Sequence, residues 1–162
     1  MQENETNERL DLIISKLKEY PDLFKLRFQN DSNILQHFTD YKCSYLPVDF
    51  IRFMSVLDGL NTEIFTIFSV EDDDNQIVMT FKDYSTEEKT TNYLNSFNGT
   101  TNARLFFFAA DNVGGRYAFK TDIQDNKVYY INTSSPNMVL IHDSFLDLVE
   151  DKINEYINKK TQ

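Results

Sequence analysis

Cys43, His37 and His142 are the side chains of this sequence that could support nucleophilic catalysis. Such catalysis requires a nucleophile, a base within hydrogen-bond reach of it, and a third group that orients the base. His37 and Cys43 lie on either side of the end of a short predicted helix. His142 lies next to Asp143, where a predicted strand passes into a helix. We therefore expect a buried thiol, two partly exposed histidines and no enzymatic activity.

The sequence also contains no recognisable metal, phosphate or cofactor site. Residues 71–74 form an acidic run, but an EF-hand loop needs glycine at its sixth position, and Ile77 stands there when the loop is counted from Asp72. Gly114 and Gly115 join two predicted strands and open no helix, so they lack the helix dipole that favours phosphate. We predict a tight turn at these glycines and, beyond adventitious cation binding at the acidic run, no bound metal or cofactor.

The charge of the chain indicates the kind of partner it could bind. The formal net charge is −10 and the sequence pI is about 4.6, which argues against nucleic acid or an anionic membrane as a partner. The four adjacent carboxylates at residues 71–74 repel one another in the free protein, and a basic partner would relieve that repulsion. The alternative is that residues 71–74 form a solvated loop that ends a hairpin and aids solubility. The predicted partner-binding residues are Glu71, Asp72, Asp73 and Asp74, with Asp58 and Glu63 nearby.

Three helices are predicted in the first part of the chain. Apolar residues recur at helical spacing over residues 7–20, and Pro21 ends that helix. Ser32 is a plausible N-cap for a short second helix. Pro47 begins a third helix with a wide apolar stripe, and Gly59 is expected to close it in a left-handed conformation.

Most of the remaining chain is predicted to be β. The run 105–110 is apolar throughout, as in a central strand covered on both faces. A capping box at residues 85–88 opens a further helix, and Asp143 or Ser144 caps the last one. The predicted fold is α+β, with helices packed against a mainly antiparallel sheet of about five or six strands. The strands are predicted at residues 63–70, 76–81, 105–110, 116–121, 127–132 and 138–141.

Size and composition predict one globular domain spanning residues 1–162. Hydrophobic residues make up 41% of the chain and aromatic residues 14%, enough to build a packed core. The single cysteine cannot form an internal disulfide, and the first eight residues are too polar for a signal peptide, so we expect a cytoplasmic protein. The longest apolar run is far too short to cross a membrane.

The order of these motifs resembles a known family. A helix that opens with Leu46-Pro47 is followed by a strand, turn and strand around residues 111–117, then by a strand at residues 127–131 and a final helix that begins Ser144-Phe145. This order is similar to that of the SUKH superfamily, over roughly residues 33–158. The superfamily includes yeast regulators of cell-wall synthesis and many bacterial immunity proteins against polymorphic toxins.

The resemblance implies a protein that acts by binding another protein. On the first hypothesis, the chain is a cytosolic immunity protein that captures a toxin domain and blocks its active site or its access to substrate. The acidic charge fits a basic toxin such as a nuclease. On the alternative hypothesis, the chain is a non-catalytic regulatory scaffold that binds an endogenous signalling protein, as the eukaryotic members suggest.

Overall fold

The computed structural model describes residues 2–29, 45–70, 105–121, 123–132 and 135–162. These residues form three helices and six strands, which we number in chain order. The helices are α1 (Gln2–Lys18), α2 (Val48–Val56) and α3 (Phe145–Thr161), and the strands are β1 (Leu60–Asn61), β2 (Phe65–Ile67), β3 (Leu105–Asp111), β4 (Gly115–Lys120), β5 (Val128–Asn132) and β6 (Ser135–His142).

The six strands form one antiparallel sheet in which each strand pairs with the next along the chain. The sheet order is therefore β1 to β6, with β1 and β6 at the two edges. Residues 105–110 of β3 are all buried, as the continuous apolar run predicts for an interior strand. The predicted α+β class with a mainly antiparallel sheet is confirmed.

Phe50 on α2 lies at the centre of an aromatic core. Its side chain is fully buried, and its ring centroid lies 5.2–5.9 Å from those of Phe106, Phe108, Phe119 and Phe145. These four rings come from β3, β4 and α3, so one aromatic cluster joins two helices to the middle of the sheet. Burial of aromatic side chains is the main stabilising contribution in such a core.

The first and last helices confirm their predicted positions, with shifted bounds. Helix α1 begins at Gln2, earlier than predicted, and Glu3 and Glu5 lie in its first turn, where carboxylates interact favourably with the helix dipole. Helix α3 begins after Ser144, whose hydroxyl accepts a hydrogen bond from the amide of Asp147 at 3.2 Å. Ser144, one of the two predicted caps, is therefore the N-cap.

The predicted end of the second described helix needs a correction. Helix α2 ends at Val56, and Leu57 is already extended (φ −120°, ψ 134°), so Gly59 does not cap it. Gly59 does adopt the expected left-handed backbone, with φ 78°, in the connection to β1. A Cβ at this position would lie 2.6 Å from the carbonyl oxygen of Ile67. The glycine is therefore required by close packing of the connection against β2.

Several predicted elements differ in extent or lie outside the described residues. Strand β2 covers only three residues of the predicted strand 63–70, and β6 begins three residues before its predicted start. The predictions of a short helix after Ser32, a strand at residues 76–81 and a helix after residues 85–88 lie outside the described residues.

Candidate functional site

Asp58 and Glu63, two of the predicted partner-binding residues, line one cleft. The cleft has a volume of about 310 Å³ and lies between the segment that follows α1, the β1–β2 hairpin and Tyr156 on α3. Its other charged lining residues are Asp22, Lys25 and Arg27. The structure therefore brings together the two predicted partner-binding residues that it describes, in a setting of mixed charge.

Asp58 forms the inner wall of this cleft and is nearly inaccessible, at 5% exposure. One carboxylate oxygen, Oδ1, accepts a hydrogen bond from the amide of Val70 at 2.6 Å. The other, Oδ2, lies 3.5 Å from Nη2 of Arg27. The backbone carbonyl oxygen of Arg27 also accepts a hydrogen bond from the Asp58 amide at 2.8 Å. Asp58 thus ties the segment after α1 to the segment after β2. Direct contact of Asp58 with a partner stays a prediction.

Glu63 lies at the rim of the cleft, with 67% of its side chain exposed. Its Oε2 is 2.7 Å from Nζ of Lys160 in the last turn of α3, and this hydrogen-bonded ion pair lowers the pKa of the Glu63 carboxyl. The Lys160 ammonium also lies 5.7 Å from the ring centroid of Tyr156, another cleft residue. Glu63 is therefore an ionised, accessible carboxylate. Its partner in the structure, Lys160, has a long and flexible side chain on the protein's own surface.

The acidic run Glu71, Asp72, Asp73 and Asp74 lies outside the described residues. Val70, the residue directly before it, is described and is held by Asp58. Ser69, one residue earlier, lines the cleft. The described chain therefore stops beside the cleft at the point where the acidic run begins.

A second groove, of about 740 Å³, lies where the N-terminal ends of the helices approach one another. Sequence reasoning missed its central residue, Asp49 of the Leu-Pro helix. Asp49 accepts hydrogen bonds from the amides of Phe50 at 2.9 Å and Leu146 at 3.1 Å, so it joins the first turns of α2 and α3. Burial raises the pKa of the Asp49 carboxyl, and these two hydrogen bonds oppose the rise.

Ion pairs in and around this groove hold the three helices together. Arg9 on α1 bonds to Asp147 at 2.5 Å and to Glu150 at 2.7 Å on α3. Arg52 on α2 pairs with Glu3 on α1. Because these charges have partners within the fold, their arrangement is explained by helix packing and needs no ligand.

The turn between β3 and β4 contains a third polar cluster, centred on Asp111. Its carboxylate accepts hydrogen bonds from the Tyr130 hydroxyl at 2.5 Å, from the Gly115 amide at 2.7 Å and from the Val113 amide at 2.9 Å. Burial alone would raise the pKa of Asp111, but these bonds outweigh it and the pKa is lowered. Gly114 has φ 86°, which confirms the predicted glycine turn.

The residues considered for catalysis are only partly described. His142 lies at the predicted strand-to-helix junction with 24% of its side chain exposed, and its Nε2 is 3.5 Å from Oδ2 of Asp151. Cys43 and His37 lie outside the described residues. Within the described ranges, no group of three or more His, Cys, Asp or Glu side chains could hold a metal ion. No helix in those ranges is long and apolar enough to cross a membrane.

A model of the SMI1/KNR4 family (SUKH-1) matches residues 32–151, which is most of the chain. The chain belongs to this family. No curated protein matches the chain. Membership of SUKH-1 confirms the resemblance predicted from the Leu-Pro helix and the order of the strands. The SUKH-1 family is generally non-catalytic and is associated with protein–protein interaction.

Proposed function

We propose that this SUKH-1 protein is a single-domain, cytosolic immunity protein that binds a basic toxin domain and blocks it by covering its surface. A nuclease is the class of toxin that fits best, because a surface that binds nucleic acid is positively charged. The proposed interface is the rim of the Asp58–Glu63 cleft together with the acidic run at residues 71–74. On this proposal the protein has no catalytic residues of its own.

The placement of Glu63 is the observation that carries the proposal. This exposed carboxylate lies on the rim of a cleft whose inner wall, Asp58, holds the residue that precedes four consecutive acids. Asp58 acts in the proposal as a positioning residue, because it is buried and holds Val70, the residue before the acidic run. Glu63 acts as a contact residue, because it is accessible.

Charge explains how such a surface would recognise its partner. A net charge of −10 steers a basic protein toward the chain, and close charge pairs at an interface contribute about 1.5–7 kcal/mol each in measured cases. In the free protein Lys160 neutralises Glu63. A cationic side chain of the toxin would take the place of Lys160, while Lys25 and Arg27, which also line the cleft, would repel a cation that entered it beyond Glu63.

The first experiment identifies the partner. The full chain, immobilised, is used to capture proteins from its native host, and each captured protein is then expressed alone and together with the chain. The proposal expects a captured protein that is toxic alone and harmless on co-expression. A non-toxic signalling protein as the specific partner would instead favour the regulatory scaffold and contradict the proposal.

The second experiment tests the surface, with the toxin from the first experiment as the probe. Changing Asp72, Asp73 and Asp74 together to lysine is expected to weaken binding by orders of magnitude, with the melting temperature nearly unchanged. The matched control changes three exposed acids of α1 that do not line the cleft. If the control weakens toxin binding equally, binding depends on net charge alone. If the test variant binds with full affinity, the interface lies elsewhere on the protein. The control substitutions are Glu5→Lys, Glu8→Lys and Asp11→Lys.

A further inference from the structure

Strand β6 forms one edge of the sheet and is its longest strand. It covers eight residues, Ser135–His142, and pairs with β5 on one side. Among the described strands none pairs with its other side. An edge strand presents a row of backbone amide and carbonyl groups that a further strand can bind.

The composition of β6 is unusual for a strand that has no described neighbour on one side. The segment contains no Asp, Glu, Lys or Arg, although charged residues make up 26% of the chain. Val139 and Leu140 are 49% and 48% exposed. They lie on opposite faces of the sheet, because they pair with the consecutive β5 residues Tyr130 and Tyr129. Edge strands of monomeric proteins commonly carry charges or are short, and β6 has neither protection.

We propose that β6 pairs with β6 of a second copy of this chain, antiparallel and about a twofold axis that passes perpendicular to the sheet at Val139. In this register Val139 of one copy lies opposite Val139 of the other, and Met138 lies opposite Leu140. Pro136, which has no amide hydrogen, falls near the end of the pairing, where a missing backbone bond disrupts least. Each face of the joined sheet then gains apolar cross-strand contacts, which stabilise antiparallel pairs.

A second copy fits this edge better than a charged partner does. A twofold interface must be self-complementary, and a strand without charges brings no like charges into register with itself. This matters because each copy carries a net charge of −10, so two copies repel each other overall. The remaining long-range repulsion is screened by salt. Association through β6 is therefore expected to strengthen as ionic strength rises, opposite to the behaviour of a basic–acidic complex.

The test is sedimentation velocity on the full chain over a concentration series at low and high salt. We expect a monomer–dimer equilibrium that shifts toward dimer at high salt. Val139→Lys places two lysines opposite each other at the axis, and the dimer dissociation constant is expected to rise about tenfold or more, equivalent to about 1.4 kcal/mol. Leu12→Lys is the matched control, because Leu12 is 72% exposed on α1 and should leave the equilibrium unchanged.

Two results would overturn the proposal. A chain that stays monomeric across the whole series at both salt concentrations has no β6 pairing with itself. A dimer that Val139→Lys leaves intact, or that Leu12→Lys disrupts equally, uses a different surface. Melting temperatures of both variants, expected within a few degrees of the parent chain, separate these outcomes from misfolding.

Discussion

Replacing Gly115 by alanine tests whether the β3–β4 turn depends on close packing against one tyrosine. Gly115 is the first residue of β4, and a Cβ placed on it would overlap the ring and hydroxyl of Tyr130 on the neighbouring strand. Gly115 is not among the described glycines with positive φ, so alanine meets no backbone penalty there. The whole cost should come from displacing Tyr130.

The contacts of Tyr130 set the size of that cost. Its hydroxyl donates to the ionised Asp111 at 2.5 Å, and its ring centroid lies 5.0 Å from that of Tyr117. A hydrogen bond to a charged group contributes about 1.5–3 kcal/mol, and an aromatic pair contributes about 0.5–1.5 kcal/mol. Loss of both contacts, less the small gain from a less flexible unfolded chain, should make Gly115→Ala lower the free energy of unfolding by about 1–4 kcal/mol.

Urea unfolding of a double-mutant cycle measures this coupling. In a Tyr130→Ala background the space is open, so Gly115→Ala should keep only the gain from the less flexible unfolded chain and raise the free energy of unfolding by about 0.4–1 kcal/mol. Gly114→Ala is the control: its cost comes from φ 86° and should be the same in both backgrounds. The reasoning is refuted if Gly115→Ala costs as much without Tyr130 as with it.

Two further predictions concern the aromatic core and the groove at the helix ends. Phe50→Ala removes a fully buried ring and should lower the free energy of unfolding by about 3–5 kcal/mol in urea titration. Val48 is 54% exposed on the same helix, so the control Val48→Ala should lower it by less than about 0.5 kcal/mol. Similar losses for both variants would contradict the packing described. Burial raises the pKa of Asp49, so the folded state favours its protonated form. The resulting contribution to stability is fully present below about pH 4 and is lost as the pH rises through the raised pKa of the folded state. The free energy of unfolding of the parent chain relative to Asp49→Asn should therefore fall over that range, and a difference that is flat or grows with pH would count against the burial of Asp49.

The candidate site was partly predictable because its two described acids are close in sequence. Asp58 and Glu63 flank β1, so a tight connection brings them to one cleft. Their different roles were not predictable. Asp58 is buried because Arg27 and Val70, from segments on either side of it in the chain, close over its carboxylate. Nothing in the spacing of the acids distinguishes it from the exposed Glu63.

The sequence by itself determined the helix starts at Pro47 and Ser144, the glycine turn before β4, the buried strand β3 and the mainly antiparallel character of the sheet. These features depend on a residue's own backbone preferences and on neighbours within a few positions, which the sequence displays directly. Only the tertiary structure decided which carboxylates are buried and which close approaches require glycine. The hydrogen bond from the Leu146 amide to Asp49 joins residues 97 positions apart. The close approach of Gly115 and Tyr130 is between two adjacent strands, β4 and β5. Such contacts follow from how whole elements pack, because burial and register are properties of segments that meet only in the folded chain.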